Sequence, residues 1–365
     1  MTGSENPPAR TLLVGAGAHG LSTYAARVLP RLAAAGRLVP VGVVEPDPAR
    51  RSQGLQVLGL PDSAGFSTLS DALRTRPDLV IVATPYFHHE AICSEAAAAG
   101  CHLFIEKPLS DSLESCYRIE QTVASAGVKA AVNMSGRFEI EKRALADALR
   151  RGLAGRVEYL FGRMRWNHEQ RAKYRADKPY PFLNEGGVHA IDMLRAYAGG
   201  YPARVYHLAY RSASSVFTGC ASSVLSVEMD NGVCWVLEGS WTGAADISPW
   251  RREYIRADGD EASLLLEDQK LWRWRDREPQ AGTEARQLLA DHSGQSQDHG
   301  TEYLLTRFLD WIRGRTNDHP TSLEHNLPLM DLLFAAFASA DQKQAVDVRE
   351  FAAAHGRQSP SNNRD

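Results

Sequence analysis

The sequence contains no long run of apolar residues, and this absence excludes a membrane-spanning protein. A helix that crosses a bilayer needs about 20 consecutive apolar residues, and no segment of the 365-residue chain approaches that length. The N-terminal segment is polar and contains Pro7 and Pro8, whereas a secretory signal needs an apolar centre. We therefore expect a cytoplasmic protein with no membrane partner.

An excess of charge of one sign is also missing. The chain has 41 Lys and Arg residues against 44 Asp and Glu residues, which gives a formal net charge of −3. A protein that binds nucleic acid through its phosphates needs a surplus of positive charge. We therefore expect no nucleic-acid partner.

Cysteine is scarce, and its spacing excludes two kinds of small scaffold. The number of cysteines is odd and no C-x-x-C pair occurs, so neither a disulfide framework nor a zinc knuckle is indicated. Reduced thiols in a cytosolic protein are the simpler interpretation. The five cysteines are Cys93, Cys101, Cys116, Cys220 and Cys234.

The first third of the chain alternates apolar runs with helical segments. Short runs that resemble buried strands occupy residues 11–14, 39–44, 79–83, 102–105 and 128–132. Strands that alternate with helices indicate parallel pairing and a doubly wound α/β sheet. We therefore predict a Rossmann domain over residues 1–133.

The pattern changes after this point to alternating strands, which predicts an α+β domain over residues 134–350 with an open, mainly antiparallel sheet. Residues 157–166 alternate like a long antiparallel strand. Asp230, Asn231 and Gly232 join two further strands, and Asn-Gly is a strong hairpin signal because both residues tolerate a positive φ. We expect residues 351–365 to form a flexible tail.

The sheet of this second domain has more apolar surface than its few helices can cover. Trp272 and Trp274 alternate on one of its strands. Because exposed apolar patches of this kind usually mark interfaces, we expect a homodimer or homotetramer formed through that face.

Residues 15–20 read Gly-Ala-Gly-Ala-His-Gly, a G-x-G-x-x-G fingerprint between a buried strand and a helix. Gly15 permits the tight turn, Gly17 lets the backbone approach a pyrophosphate, and Gly20 lets the helix pack closely on the strand. The start of the helix, at Ala18 and His19, offers N–H groups to the anion. This context predicts a dinucleotide site.

Glu45 ends the second strand of the same unit. A carboxylate at this position can accept hydrogen bonds from a ribose diol and repels a 2′-phosphate, which favours NAD. Arg50 and Arg51 follow closely and could bind that phosphate instead. NAD is therefore the expected cofactor, and NADP remains open.

Two further segments carry candidate chemistry. Lys107 follows the strand at 102–105, and such strand ends face the ligand crevice of a doubly wound sheet. Glu185, His189 and Asp192 share one face if their segment is helical. A histidine beside a carboxylate can act as a general acid or base near neutral pH. A zinc site on these three residues is the weaker alternative, because no second His or Cys cluster supports it.

These motifs together resemble the Gfo/Idh/MocA oxidoreductases, named for glucose–fructose oxidoreductase and inositol dehydrogenase. The matching stretches are residues 14–20, residues 83–85 with His89, residues 99–108, residues 136–138 and residues 185–192. The order of elements matches over nearly the whole chain. The resemblance implies an NAD(P)-dependent dehydrogenase or reductase. No metal is expected, because no second His or Cys cluster supports a site.

The resemblance also implies roles for individual residues. Lys107 would anchor the reacting hydroxyl or carbonyl, and His189 would take or return its proton. Glu185 stands where the family usually has Asp, so its carboxylate is displaced although its chemistry is kept. The cofactor would also contact Thr84, Pro85, His89, Glu106 and Lys107.

The substrate would contact Arg137, Trp166 and Tyr180 as well as the catalytic residues. The glycine cluster that usually precedes the histidine motif is replaced here by Tyr-Pro-Phe-Leu at residues 180–183. This replacement should reshape the wall of the substrate pocket.

The expected activity is hydride transfer between the nicotinamide and a sugar, cyclitol or related polyol or ketone, the substrate class that the resemblance implies. One alternative is an NAD-using lyase or glycosidase on the same scaffold, which would regenerate its cofactor. A second alternative is a non-catalytic nucleotide-binding sensor. Lys107 and His189 argue against the sensor, because a sensor has no need of a proton-transfer pair.

Overall fold

A computed structural model describes residues 7–171, 176–275, 286–295 and 300–357. The polar segment at 1–6 and residues 358–365 of the predicted tail lie outside the described residues. The chain forms two compact units, and each consists of two separate stretches of sequence. The first unit is Met1–Met134 with Thr301–Leu327, and the second is Ser135–Gly300 with Pro328–Asp365.

The first unit contains a six-stranded sheet in the order β3-β2-β1-β4-β5-β6. Every neighbouring pair is parallel, so the carboxyl ends of all six strands lie along one edge. The four residues of the central strand β4 are all buried, as the uninterrupted apolar run predicts. The strands are β1 (Ala9–Val14), β2 (Leu38–Val44), β3 (Gly65–Phe66), β4 (Leu79–Val82), β5 (His102–Ile105) and β6 (Ala130–Val132).

Helices connect these strands. The helix that follows the glycine fingerprint begins as a π-helix at Gly20–Val28 and continues as α1. Ser112 caps α5 by accepting a hydrogen bond from the Ser115 N–H, and Gly127 ends it with φ +65°. The helices are α1 (Leu29–Ala34), α2 (Pro48–Leu58), α3 (Leu69–Leu73), α4 (His89–Ala98) and α5 (Leu113–Ala126).

The second unit contains a nine-stranded sheet in the order β14-β13-β12-β11-β7-β10-β9-β8-β15. Its strands are β7 (Val157–Arg165), β8 (Pro202–Tyr210), β9 (Ser222–Met229), β10 (Cys234–Ser240), β11 (Tyr254–Gly259), β12 (Ser263–Glu267), β13 (Lys270–Trp274), β14 (Arg286–Asp291) and β15 (Val346–Asp347). The remaining helices are α6 (Ile140–Arg150), α7 (Val188–Ala198), α8 (Gly300–Ile312), α9 (Leu323–Gln342) and α10 (Val348–Ala354). Among the described residues, no helix is long and apolar enough to cross a membrane.

Most of α8 and the start of α9 belong to the first unit, although we expected residues 301–327 in the second. Phe308 of α8 packs on Phe104 of β5, with ring centroids 5.6 Å apart. Ser322 forms an isolated antiparallel β-bridge with Ala131 of β6. The helical pattern of a segment shows which face is buried but not which sheet that face covers. The sequence therefore did not show that residues 301–327 belong to the first unit.

The direction of β7 differs in part from our prediction. The strand pairs antiparallel with β11, as expected, but parallel with β10. Side chains alternate with a period of two in both kinds of strand, so the alternation cannot specify direction. The sheet is therefore mixed, although most of its pairs are antiparallel.

The hairpin at Asn231 and Gly232 forms, but with another turn than the one we expected. Only Gly232 has a positive φ, +86°, and the N–H of Met229 donates to the carbonyl of Val233. This is a three-residue loop that ends in a left-handed glycine. The two-residue turn with two positive φ angles occurs instead at Asp268 and Gln269, between β12 and β13.

The prediction of a flexible tail from residue 351 is wrong up to residue 357. Helix α10 starts at Val348, and the Asp347 side chain caps it by accepting a hydrogen bond from the Glu350 N–H. Farther along, the guanidinium of Arg357 donates to the buried carboxylate of Asp331. A cap and a buried ion pair therefore anchor this stretch.

Candidate active site

The predicted cofactor residues follow the carboxyl ends of neighbouring strands in the first unit. Gly15 follows β1, Glu45 follows β2, and Glu106 follows β5. Because all six strands run in the same direction, these residues collect at one edge of the sheet. Asn133, which follows β6, lies at the same edge, and our sequence reading missed it although its polar side chain after an apolar strand is the same signal.

The glycine loop packs directly against the end of β4. Gly15 has φ +99°, and a Cβ added there would lie 2.6 Å from the carbonyl oxygen of Ala83 and 3.0 Å from the Thr84 nitrogen. A Cβ at Gly20 would lie 2.1 Å from the Gly15 oxygen, whereas no atom lies within 4 Å of one at Gly17. The open space at Gly17 is what a bound pyrophosphate requires.

Glu45 reaches back to the glycine loop. Its Oε2 atom accepts a hydrogen bond of 2.9 Å from the Ala16 N–H, and the residue is only 9% exposed. Arg51 donates from Nη1 to the Glu45 carbonyl at 2.6 Å, so this guanidinium is bound to the backbone. The arrangement fits the ribose diol of NAD better than a 2′-phosphate, because the carboxylate lies at the loop itself.

Glu106 is the centre of a buried hydrogen-bonded group. Its Oε1 atom accepts from the Tyr24 hydroxyl at 2.7 Å and from Asn133 Nδ2 at 2.7 Å, and it lies 3.0 Å from His19 Nε2. Burial by itself would raise the pKa of Glu106, but the charge of His19 and these hydrogen bonds lower it well below its usual value. The Glu106 side chain at the end of β5 is therefore an ionised carboxylate near neutral pH.

Lys107 is half-buried next to this carboxylate. Its backbone N–H donates to Oε2 of Glu106 at 3.2 Å, and its peptide bond to Pro108 is cis. The structure thus places Lys107 at the edge of the sheet where we predicted it. The hydrogen bond to Glu106 fixes the backbone of this lysine.

His89 differs from its predicted role as a cofactor contact. Its imidazole is fully buried, with Nδ1 3.0 Å from the carbonyl of Leu109 and Nε2 3.0 Å from the carbonyl of Thr84. Burial lowers its pKa, which favours the neutral ring. His89 holds the loop of Thr84 in place and has no free surface for a cofactor, whereas Pro85 is exposed.

In the second unit, Glu185, His189 and Asp192 are all buried. We expected them at i, i+4 and i+7 of one α-helix, but Leu183–Gly187 forms a π-helix before α7 begins at Val188. A π-helical turn holds more residues than an α-helical turn, so the carboxylate of Glu185 is rotated relative to the expected face. Local turns of this kind are frequent at functional sites.

Asp192 is paired with Arg137. The guanidinium Nε donates to Oδ2 at 2.7 Å, and the two side chains are 14% and 2% exposed. This contact occupies the carboxylate that the zinc alternative would need. Among the described residues, no three His, Cys, Asp or Glu side chains are grouped so that they could hold a metal ion. The Arg137 guanidinium anchors α7 through Asp192. Its contact with the substrate stays a prediction.

Trp166 and Tyr180 have different surroundings. Trp166 is half-buried, 6.0 Å from the ring of Trp241, and that ring covers Gly186, where an added Cβ would lie 2.9 Å away. Tyr180 instead donates its hydroxyl to Asp341 and stacks on Phe337 of α9 at 5.0 Å. Tyr180 therefore packs on α9, and its contact with the substrate stays a prediction.

The candidate catalytic residues are divided between the two units: Lys107 belongs to the first, whereas Glu185 and His189 belong to the second. The nucleotide fingerprint, Glu45 and Lys107 are complete within the first unit alone. The catalytic roles of Lys107, Glu185 and His189 stay predictions.

The chain is similar to other proteins over most of its length. It is 27% identical over 353 residues to the uncharacterized protein y4oX of Sinorhizobium fredii (strain NBRC 101917 / NGR234), covering 94% of this chain and 96% of that protein. It is 28% identical over 229 residues to the inositol 2-dehydrogenase of Corynebacterium glutamicum (strain R), covering 61% of this chain and 64% of that enzyme.

Among solved structures, the fold is similar to an oxidoreductase from Agrobacterium radiobacter in complex with NAD+, L-tartaric acid and magnesium. The TM-score is 0.82 at 18% identity, with 94% of this chain and 99% of the other covered. At this identity the likeness concerns the fold alone.

Family comparison covers both units. Residues 9–134 match an oxidoreductase family with an NAD-binding Rossmann fold, and residues 143–265 match the Gfo/Idh/MocA C-terminal domain. Both halves of the sequence resemblance are thereby confirmed, and so is NAD as the cofactor of the first unit. The chain belongs to the Gfo/Idh/MocA family of NAD-dependent oxidoreductases.

Proposed function

We propose that this enzyme oxidises a secondary hydroxyl of a cyclitol, sugar or related polyol, or reduces the corresponding ketone. The observation that carries the proposal is the position of Lys107 two residues after the end of β5, at the edge of the sheet that also bears the glycine loop. The substrate class is supported by the relation to an inositol 2-dehydrogenase. The match covers 64% of that enzyme, so the proposal names a substrate class and no single substrate.

Each catalytic residue has a proposed role in the direction of oxidation. The Lys107 ammonium would donate a hydrogen bond to the reacting oxygen and stabilise the negative charge that develops there. His189 would accept the hydroxyl proton, and Glu185 would orient the imidazole or the substrate. NAD, when bound, supplies the acceptor for the hydride that leaves the carbon.

The test is a screen of inositols, sugars and nucleotide sugars with NAD and, separately, with NADP. Release of one NADH per substrate oxidised would support the proposal. Turnover of substrate without net NADH release would point instead to a lyase or glycosidase that regenerates its cofactor. Binding of NAD with no turnover across the screen would favour the sensor.

We also propose that the enzyme is a cytoplasmic homo-oligomer. The cytoplasmic location is supported by its five cysteines, which all have free thiols. Oligomerisation is supported by the open face of the second sheet, where Tyr206, Leu208 and Tyr210 of β8 are exposed. Trp274 of β13 is exposed as well, and apolar patches of this kind are usually covered by another chain.

A further inference from the structure

Trp250 is in ring contact with His189 inside the second unit. The ring centroids are 5.0 Å apart, and the planes meet edge to face at 66°. Gly136 packs against both residues, since a Cβ added there would lie 3.0 Å from the Cβ of His189 and 3.0 Å from the Trp250 ring. This packing restricts the rotation of the His189 side chain.

Trp250 lies in a tight turn with an unusual backbone. The Pro249 carbonyl accepts a hydrogen bond of 2.8 Å from the Arg252 N–H, so Trp250 and Arg251 are the two central residues. Arg251 has φ +70°, a conformation that glycine normally supplies at this place in a type II turn. A non-glycine residue keeps such a conformation only where its surroundings hold it there.

A fully buried lysine lies on the turn. The Nζ atom of Lys142 is 3.0 Å from Glu141 Oε1 and 2.9 Å from Glu253 Oε2, and 5.4 Å from the centre of the Trp250 ring. Burial disfavours this charge, but the two carboxylates hold the pKa of Lys142 above its usual value. The ammonium therefore stays charged and attracts the ring.

Arg251 is held by carboxylates from the start of α6. Its Nε atom is 3.6 Å from Glu139 Oε2, and its Nη2 atom is 4.0 Å from Glu141 Oε2. All of these carboxylates are buried. Buried ion pairs are a poor source of net stability because desolvation offsets their attraction, so a role in fixing the geometry of the turn accounts for them better.

We propose that Trp250 is a positioning residue that keeps the His189 imidazole in one orientation for proton transfer. The inference rests on the proposed function, in which His189 exchanges a proton with the substrate. A base that is misdirected by even a short distance loses much of its effect, because the reacting atoms must be aligned before transfer.

The first test measures how readily the His189 imidazole leaves its packed position, and it needs no substrate. Trp250→Ala, Trp250→Phe and the control Ile247→Ala would be treated with diethyl pyrocarbonate, and modification of His189 would be followed by peptide mass mapping. His189 is 6% exposed and Ile247, three residues from Trp250, is 57% exposed. We expect modification several times faster in Trp250→Ala, near wild type in Trp250→Phe and unchanged in Ile247→Ala.

The second test uses kinetics. Trp250→Ala should lower kcat by about 10- to 100-fold while KM and the Kd for NAD stay close to wild type, and Trp250→Phe should restore part of the loss. If Trp250→Ala does not fold, Gly136→Ala replaces it, since the added Cβ would push on the same two rings and should likewise speed modification.

A folded Trp250→Ala variant in which His189 is modified at the wild-type rate would overturn the proposal, whatever its activity. An equal change in KM and kcat that Trp250→Phe does not rescue would also overturn it. If the wild-type enzyme oxidises none of the screened compounds, the proposed function fails, but the modification rates still decide the role of Trp250.

Discussion

The Nε2 atom of His19 lies 3.0 Å from Oε1 of Glu106, which joins the glycine fingerprint to the Glu-Lys-Pro segment. The histidine side chain is 54% exposed and the carboxylate is 9% exposed. The charge of Glu106 raises the pKa of His19. The charged imidazole in turn lowers the pKa of Glu106, although burial opposes this.

This pair should make folding stability depend on pH. Because the pKa of His19 is raised in the folded state, its contribution is complete below its usual pKa of 6.5 and is lost as the pH rises through the raised value. Glu106 contributes above its usual pKa of 4.5, and its contribution is lost as the pH falls toward its lowered value. Both contributions are present between these two pH values.

We therefore expect His19→Asn to lower the free energy of unfolding by about 1 kcal/mol or less near pH 5.5, because solvent screens the exposed imidazole, and by still less near pH 9. Urea unfolding at both pH values would measure this. The exposed His88 offers a matched control as His88→Asn. Equal losses for His19→Asn at the two pH values would contradict the assignment of the charge pair.

Glu45 should determine the choice of cofactor. We expect NAD(H) to bind more tightly than NADP(H), because the carboxylate beside the glycine loop repels a 2′-phosphate. Glu45→Ser should weaken NAD binding and reduce the discrimination between the cofactors. Fluorescence titration of the wild-type enzyme and of Glu45→Ser with both cofactors tests this. A wild-type preference for NADP(H) would be incompatible with the role of Glu45 and would direct attention to Arg50.

Loss of Lys107 or His189 should affect turnover far more than NAD affinity. We expect Lys107→Ala and His189→Ala each to lower kcat by about 10²–10⁴-fold, the usual range for a positioned acid or base. The Kd for NAD should change much less than kcat, because Lys107 is one of many expected cofactor contacts and the glycine loop and Glu45 stay intact in both variants. Steady-state kinetics and cofactor titration give the two quantities independently.

The double variant Lys107→Ala/His189→Ala should show a fall in kcat much smaller than the product of the two single falls, because the effects of residues that act as a unit are not additive. Glu185→Gln should reduce turnover less than His189→Ala if Glu185 only orients its neighbour. Near wild-type turnover in either alanine variant would remove that residue from the mechanism.

The open sheet face should hold subunits together. Light scattering at micromolar concentration should give the mass of a dimer or tetramer, and a monomeric mass would refute the interface. Leu208→Glu should weaken association, because Leu208 is 53% exposed on that face and a charge there would be desolvated in the complex. Val57→Glu, on a residue 41% exposed in the first unit, is the control that should leave the mass unchanged.

The sequence by itself predicted the parallel sheet of the first unit and the strand ends at which the candidate cofactor residues lie. An apolar run that is followed by Gly15, Glu45 or Glu106 specifies both a buried strand and the residue at its carboxyl end. Parallel pairing then brings these ends to one edge. Local pattern was sufficient here because each residue's position follows from its own strand.

Contacts between distant segments were decided only by the tertiary structure. The pairing of His19 with Glu106 and the contact of Trp250 with His189 join residues far apart in the chain, and no periodic pattern records such neighbours. The tertiary structure also buries His89 against the carbonyl of Thr84 and stacks Tyr180 on Phe337. A sequence specifies which side chains are apolar or chargeable, whereas packing determines which of them meet and which remain open to a ligand.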